Sequence, residues 1–300
     1  MFMCLFPQNV FVKPKNDFGY FAEVPCGKCI ECAKRYSDEW SLRIMDEAKQ
    51  YKQNCFLTLT YNNENLPQNG CVSRREVQLF IKSLRQAVLP VKIRFFACGE
   101  YGSLRGRPHY HIIIFGWSPS DLIFLKRDKS GVSLFRSSLV ERVWKKGFSS
   151  VGELTYDTAL YCAKYMQKLN FRLPKELTLP FIQMSTRPGI GFNAAYEYEA
   201  ALVNGYTFFR GRSLAIPRYY LKIFERDGLH SLFIYKQKRT VLGEISRNRN
   251  DLKQRIKKFK TFLGVPVDIS DGAVYYLIAR KFSAKYFKEL DYYVHDNFKI

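Results

Sequence analysis

The chain has 300 residues, of which 47% are hydrophobic and 16% aromatic, so it can bury a substantial core in one main domain with a smaller appendage. Its 48 lysines and arginines against 27 acidic residues give a formal net charge of +21, which argues against an enzyme of small neutral metabolites and indicates a polyanionic partner. Apolar runs such as 111–117 are too short to span a bilayer and the amino terminus lacks a secretory signal, so we expect a cytoplasmic protein with no membrane partner.

Three cysteines lie close together near the amino terminus, at Cys26, Cys29 and Cys32. They provide three of the four thiolates that a structural zinc site uses, and Cys4 is a candidate for the fourth. An iron-sulfur cluster is less favoured, because the bacterial ferredoxin pattern continues with a further Cys-Pro that is absent here. The spacing leaves two interpretations open, a structural Zn²⁺ site and simple reduced thiols.

Hydrophobic periodicity predicts an alternation of helices and strands over the first half of the chain. In chain order the predicted elements are a helix over 37–53 capped by Ser37, a strand over 55–61, a helix that starts at the capping-box pair Ser73 and Glu76 and ends at Pro90, strands over 92–100 and 109–116, a helix over 138–146, a strand over 148–153 and a helix over 157–169. The two strands on either side of the short loop YGSLRGRP are expected to pair antiparallel. This order predicts an α+β fold with a central antiparallel sheet flanked by helices.

Composition changes in the last third of the chain. Beyond Pro174 the sequence is rich in loop residues, and it then becomes helical and basic, with ten lysines and arginines between Lys236 and Lys260. We therefore predict a boundary near residue 210, with a first domain over 1–210 that includes the cysteine-rich segment and a basic, mainly helical region over 211–300.

Two histidines mark a candidate metal site. His109 and His111 are two residues apart in a predicted strand, so both imidazoles project from the same face of the sheet. Glu100 ends the preceding strand, and if the hairpin brings it opposite His109, one carboxylate and two imidazoles could hold a divalent cation with coordination positions left open for catalysis. Histidines at this spacing also occur on strand surfaces without a metal, so the residues alone leave both interpretations open.

Two tyrosines mark a candidate nucleophile. Tyr161 and Tyr165 are four residues apart on a predicted helix, which stacks both phenols on one face beside Lys164 and Lys168. A phenol has an ordinary pKa of about 10, so it needs a nearby cation or metal to act as a nucleophile. Tyrosines at helical spacing are usually core or interface residues, but together with the two histidines they favour a catalytic role.

Six short segments together resemble a known family, the HUH endonucleases, and within it the replication initiators of the small single-stranded DNA bacteriophages of the Microviridae, particularly the gokushovirus-like group. The similarity covers most of residues 24–226. The segments are PCGKCIEC at 25–32, FLTLTY at 56–61, GEYGSLRGRPHYHIIIFG at 99–116, LYCAKYMQK at 160–168, STRPGIG at 185–191 and PRYYLK at 217–222.

The resemblance implies a fold and a metal site. The family fold is an RRM-like antiparallel sheet flanked by helices, in agreement with the predicted element order. The family's His-hydrophobe-His pair binds the metal, which implies His109 and His111 as ligands, with Glu100 as the acidic residue that completes the set. The resemblance implies Mg²⁺ or Mn²⁺ as the ion.

The resemblance also implies a reaction. The family's two-tyrosine motif maps onto Tyr161 and Tyr165 as nucleophiles and onto Lys168 as a supporting cation. Such proteins nick one DNA strand during rolling-circle replication, stay attached to its 5′ end and later rejoin the strand. The implied partners are single-stranded and replicative-form phage DNA with the host helicase, polymerase and single-strand-binding protein, in the cytoplasm of the bacterial host.

Two further groups of cations are candidates for DNA contact. Arg105 and Arg107 lie on the loop before the histidines, where they could contact phosphates or simply form a solvated hairpin tip. The basic segment over 236–260 could grip duplex or displaced strand, or present a solvated helix face. The sequence leaves these alternatives open.

Two competing functions also stay open. A non-catalytic basic nucleic-acid-binding protein would account for the charge and the aromatic residues, with the histidines in structural roles. A relaxase or transposase of the HUH superfamily would share the same metal and tyrosine chemistry.

Overall fold

A computed structural model of the chain describes residues 8–12, 20–27, 30–102, 106–128, 131–168 and 177–236. Strands β1 to β11 span Gln8–Val12, Tyr20–Val24, Asn54–Tyr61, Arg94–Tyr101, Pro108–Phe115, Leu122–Arg127, Ser133–Ser137, Gly147–Gly152, Phe181–Met184, Thr207–Phe209 and Arg212–Leu214. Helices α1 to α6 span Ile30–Ala48, Arg74–Ala87, Ser138–Trp144, Tyr156–Lys168, Glu199–Asn204 and Arg218–Arg226, and a 3₁₀ helix spans Phe192–Tyr198.

Seven strands form one central sheet in the order β6-β7-β8-β3-β5-β4-β9, and every neighbouring pair is antiparallel. The predicted hairpin of β4 and β5 is present, with β3 on the other side of β5. Two separate two-stranded sheets, β1-β2 and β10-β11, complete the described strands. The predicted α+β class, an antiparallel sheet flanked by helices, is confirmed.

The central sheet is covered by helices on both faces, because its middle strands are apolar on both sides. Tyr110 and Ile112 lie on one face and pack with apolar side chains of α2 and α3. Ile113 and Phe115, which alternate with them along β5, pack on the other face with α1 and α4. We call this second face the histidine face, because His109 lies on it by the same alternation.

The helix predicted to begin at Ser37 begins seven residues earlier, so the assignment of Ser37 as its cap is wrong. Ser37 lies inside α1, is buried, and its carbonyl accepts a hydrogen bond from the hydroxyl of Ser41 at 2.7 Å. The preceding segment IECAKRY contains good helix formers such as Glu31 and Ala33, which allow the helix to extend past the serine.

The next helix begins where the capping pattern predicted, with Ser73 at the N-cap of α2, but the reciprocal hydrogen bonds of a capping box are not made. Glu76 instead forms an ion pair with Lys146 at 2.6 Å. Strands β6 and β7 were not predicted, because the sequence of β6, LIFLKR, does not alternate polar and apolar residues and all six residues are exposed.

Two compact units divide the chain, Met1–Phe233 and Ile234–Ile300. Strand β11 and helix α6 follow the predicted boundary at residue 210 and belong to the first unit. The basic segment predicted to be helical lies almost entirely in residues 237–300, outside the described residues, so that part of the prediction stays a prediction. None of the described helices combines the length and the apolarity that a bilayer-spanning segment requires.

Candidate functional site

Three potential metal ligands converge at one end of the histidine face. Glu100 on β4 lies directly opposite His109 on β5, so their side chains share a face of the sheet. His111, two residues further along β5, lies on the same face. The pairing of β4 with β5 therefore brings together the carboxylate and both imidazoles that the sequence predicted as a set.

The ligand atoms are close enough to share one ion. One ligand atom from each of Glu100, His109 and His111 lies within 4.8 Å of the others. Oε1 of Glu100 is 2.7 Å from Nε2 of His109 and 3.1 Å from Nε2 of His111. One carboxylate oxygen and two imidazole nitrogens, converging on one point of the sheet, could hold a metal ion.

Each imidazole is oriented through its other nitrogen. Nδ1 of His109 lies 3.0 Å from the backbone carbonyl of Arg107, and Nδ1 of His111 lies 3.1 Å from the hydroxyl of Thr58. A carbonyl only accepts, so His109 donates through Nδ1 and its Nε2 is the nitrogen that turns toward the carboxylate. Such outer contacts fix the rotation of ligating histidines and increase their basicity.

The charge of Glu100 is stabilised by the same geometry. Its side chain is 3% exposed. Burial alone would raise the pKa of Glu100, but the hydrogen bonds and charges of His109 and His111 outweigh it and lower the pKa to about 2. The carboxylate is therefore ionised at neutral pH, which is the form that binds a cation.

The donor set fits a divalent cation at an open, catalytic type of site. Two imidazoles and one carboxylate leave several coordination positions for water or a phosphate oxygen, whereas a structural metal site usually has four protein ligands. Within the described residues this is the one group of three potential ligands that could hold an ion.

Tyr161 lies beside the three ligands. Its hydroxyl is 3.5 Å from Oε1 of Glu100, and its ring meets the ring of His111 edge-on at a centroid distance of 5.0 Å. The side chain is 36% exposed, so the hydroxyl is accessible from solvent. Helix α4 holds it there because Ala159 and Ala163 pack into the core of the histidine face.

The other predicted residues of α4 are only partly described. Helix α4 includes Tyr165 and Lys168 and so carries both tyrosines one turn apart, but the side chains of these two residues lie outside the described part of the chain. Lys164 is half-buried on the same helix. The roles assigned to Tyr165, Lys164 and Lys168 stay predictions.

The predicted DNA contacts stay predictions as well. Arg105 lies outside the described residues. Arg107 donates to the backbone carbonyl of Tyr61 at 3.3 Å and to the side-chain oxygen of Asn63, so it ties the hairpin loop to the end of β3. The residue is half-buried beside the metal ligands.

The cysteine cluster is described in part. Sulfur atoms of Cys26 and Cys32 lie 4.0 Å apart and form no disulfide. Cys29 and Cys4 lie outside the described residues. The two interpretations of the cluster, a zinc site and reduced thiols, stay open as predictions.

The sequence did not reveal the supporting residues of β3. Thr58 holds His111, and Phe56 stacks on the same imidazole at a centroid distance of 5.5 Å. The signal was available in principle, because the segment FLTLTY alternates and its threonines had to lie on one face, but only the pairing of β3 with β5 showed that this is the face of the histidines.

Comparisons with known proteins agree with this site. Residues 54–170, which include all three metal ligands and Tyr161, match the family model of the replication-associated protein ORF2. The chain is 34% identical over 235 residues to Replication-associated protein ORF2 of Spiroplasma virus 4, covering 72% of each chain. No solved structure matches.

Two further relatives extend the comparison. Replication-associated protein ORF4 of Chlamydia phage 1 is 35% identical over 152 residues, 48% of this chain and 38% of that protein. Replication-associated protein VP4 of Bdellovibrio phage phiMH2K is 28% identical over 250 residues, 80% and 79% respectively. The resemblance to replication proteins of the Microviridae is thereby confirmed, and the chain belongs to the family of phage replication-associated proteins.

Proposed function

We propose that this protein initiates rolling-circle replication as a metal-dependent single-strand endonuclease and strand transferase that uses tyrosine as its nucleophile. One observation carries the proposal: the hydroxyl of Tyr161 lies 3.5 Å from Oε1 of Glu100, within a group of three residues that could hold a metal ion. A nucleophile beside a metal site with open positions is the arrangement that phosphoryl transfer requires.

The reaction is a transesterification. The Tyr161 oxygen forms a bond to phosphorus, the bond from phosphorus to the 3′ oxygen breaks, and the proton lost by the phenol is balanced by the proton gained by the new 3′ hydroxyl. A divalent cation bound at the site would polarise the phosphate oxygens and offset their charge in the in-line transition state. Because one phosphodiester replaces another, no nucleotide hydrolysis is needed.

The protein's own residues supply positioning. Glu100, His109 and His111 would hold the ion, and the outer contacts of the two imidazoles limit their rotation. The edge-on contact between Tyr161 and His111 limits where the phenol can lie. Such fixed geometry lowers the entropy cost of bringing nucleophile and phosphate together.

A second tyrosine suits the second half of the cycle. Tyr165 follows Tyr161 by one helical turn, so it could cut the regenerated origin while the first tyrosine still carries the DNA. The released 3′ hydroxyl would then attack the first phosphotyrosyl bond, restore the phenol and close a unit-length circle.

The wider assignment follows from the family. We propose single-stranded and replicative-form phage DNA as the substrate, Mg²⁺ or Mn²⁺ as the ion, and the cytoplasm of the bacterial host as the place of action. The host helicase, polymerase and single-strand-binding protein are the proposed partners. The net charge of +21 supports a polyanionic substrate.

The decisive experiment is an adduct assay. Overlapping labelled single strands that cover the genome encoding this chain are incubated with purified protein and Mn²⁺, and the products are separated on a denaturing gel. A metal-dependent covalent adduct on one strand is the expected result. Tight DNA binding with no adduct on any strand would contradict the proposal and favour a non-catalytic binding protein.

A further inference from the structure

An exposed phenylalanine lies in the same cross-strand row as the metal ligands. On the central sheet, Glu100 pairs with His109, His109 pairs with Thr60, and Thr60 pairs with Phe148 on β8. Directly opposite residues of antiparallel strands share a face, so Phe148 lies on the histidine face. Two strand spacings separate its Cα atom from that of His109, which is about 10 Å.

The surface between Phe148 and the histidines is polar and open. In the next row Ser150 pairs with Thr58, which pairs with His111. The hydroxyl residues Thr58, Thr60 and Ser150 are half-buried, whereas Phe56, further along β3, is buried among side chains of α1 and α4. The histidine face is therefore uncovered at its metal end. We call Thr58, Thr60, Phe148 and Ser150 the β3-β8 platform.

Phe148 is unlike the other aromatic residues of the sheet. It is 69% exposed and makes no ring contact with another aromatic side chain in the described part of the chain. A single exposed apolar residue is common on protein surfaces and needs no explanation by itself. Here the residue is a flat ring, flanked by hydroxyl groups, on the open face of the sheet and within one nucleotide's reach of the metal ligands.

The backbone fixes this position. Gly147, just before Phe148, has φ +152°, and a Cβ there would lie 2.3 Å from the carbonyl oxygen of Thr60 and 2.4 Å from the nitrogen of Asn62. Only glycine allows β8 to start so close to the end of β3. Arg107, whose guanidinium bonds to the carbonyl of Tyr61 opposite Gly147, adds a cation at the same end of the platform.

We propose that the β3-β8 platform binds single-stranded DNA, with one base stacked on Phe148 while the adjoining backbone crosses Thr60 toward the metal ligands. Aromatic side chains beside cations bind unstacked bases with little sequence preference, because every base has a flat face. This inference rests on the proposed function, since it assumes that DNA is the ligand of the site, and it assigns to Phe148 a binding role that the reaction chemistry does not require.

The test separates base stacking from backbone binding. Metal is removed with a chelator so that no cleavage occurs, and the full chain is titrated with a fluorescein-labelled oligothymidylate of about ten nucleotides or with an abasic backbone of the same length. We expect Phe148→Ala to weaken binding of oligothymidylate by roughly 5- to 150-fold and to leave binding of the abasic backbone unchanged. Phe148→Trp should retain affinity, and its indole emission should be quenched by the bound bases.

Phe208 provides a matched control, because it is 68% exposed and lies on the separate β10-β11 sheet. Phe208→Ala should bind both oligomers like the wild type. Wild-type affinity of Phe148→Ala for oligothymidylate, or an equal loss for both oligomers, would overturn the proposal. The adduct assay is independent of this result: a wild-type chain that forms the adduct while Phe148→Ala binds normally would retain the proposed function and lose only the platform.

Discussion

The hydroxyl of Tyr161 and the carboxylate of Glu100 meet at 3.5 Å, and the same oxygen of Glu100 is also the one closest to both imidazoles. The nucleophile therefore approaches the three ligands from the α4 side, across the face of the sheet rather than along it. Because Tyr161 is already at the site and its ring leans on His111, we assign it the first cleavage.

Replacing the hydroxyl of Tyr161 should abolish adduct formation. We expect Tyr161→Phe to reduce the rate of adduct formation by on the order of 10⁴-fold or more, because no other atom of that residue can attack phosphorus. Binding of single-stranded DNA should stay unchanged. The measurement is the denaturing gel assay with Mn²⁺, run beside a binding titration.

Tyr156 is a matched control on the same helix, since it is buried and its hydroxyl points to Asp38 rather than to the metal ligands. Tyr156→Phe should form adduct normally. Tyr165→Phe should form the first adduct but fail to release a closed circle. An adduct that persists in Tyr161→Phe and disappears in Tyr165→Phe would reverse the assignment.

The hydroxyl of Thr58 should be needed for tight metal binding. Thr58 holds Nδ1 of His111 at 3.1 Å, and loss of such an outer contact typically weakens metal binding by roughly 10- to 100-fold. Thr58→Val keeps the shape of the side chain and removes the hydroxyl. Thr60→Val is the matched change one row along β3, where the histidine opposite is held by a backbone carbonyl instead.

The pair is compared by titration with Mn²⁺ under calorimetry. Weaker binding in Thr58→Val with unchanged binding in Thr60→Val is expected. Equal affinities in the two variants would mean that the imidazole of His111 is oriented by packing alone, with Phe56 as the remaining neighbour.

The metal site was predictable from the sequence because its geometry is local. His109 and His111 lie two apart on one strand, and a hairpin of short length leaves few registers in which Glu100 does not reach them. Tyr161 was predictable only as one of two tyrosines, because the position of a helix above a sheet depends on packing that no local pattern encodes.

The remaining features depend on contacts between distant parts of the chain. Arg43 donates to the carbonyl of Ile190 at 3.0 Å and 3.1 Å and lies between the rings of Trp40 and Tyr219. Nothing near Arg43 in the sequence points to residues so far along the chain. The edge strand β6 escaped prediction for a different reason, because an exposed apolar strand breaks the rule on which the prediction rests.

A divalent cation should stabilise the folded protein if the three ligands bind it. A ligand at about 100 times its dissociation constant adds about 2.7 kcal/mol, which corresponds to a rise in Tm of roughly 5–10 °C for a unit of this size. Glu100→Gln should lose this rise, because the neutral amide is a poor metal ligand. The measurement is thermal unfolding with chelator and with Mn²⁺.

His230→Ala is the control for nonspecific metal binding, since His230 lies after α6 and is not among the three ligands. It should show the full metal-dependent rise in Tm. If Glu100→Gln and the wild type rise equally, the ion binds elsewhere and the assignment of the ligands is wrong.

The last prediction concerns the buried carboxylate of Asp46, which anchors the helix that covers the histidine face. One oxygen of Asp46 accepts hydrogen bonds at 2.8 Å from the hydroxyls of Tyr198 and Tyr220, which lie on the 3₁₀ helix and on α6. Burial and then the charge of Asp46 raise the pKa of both phenols well above the ordinary value, so both remain protonated donors.

Asp46→Ala would leave two buried hydroxyls without an acceptor, at a cost of about 1–3 kcal/mol each, so we expect it to lower the free energy of unfolding by about 3 kcal/mol. Asp46→Asn keeps an acceptor oxygen and should cost less. Asp157→Ala, at a carboxylate whose side chain is 83% exposed, should change stability by about 0.5 kcal/mol or less. Urea unfolding of the three variants measures the difference, and an Asp46→Ala chain as stable as Asp157→Ala would mean that packing of Trp40 and Ile44, rather than this carboxylate, holds α1 in place.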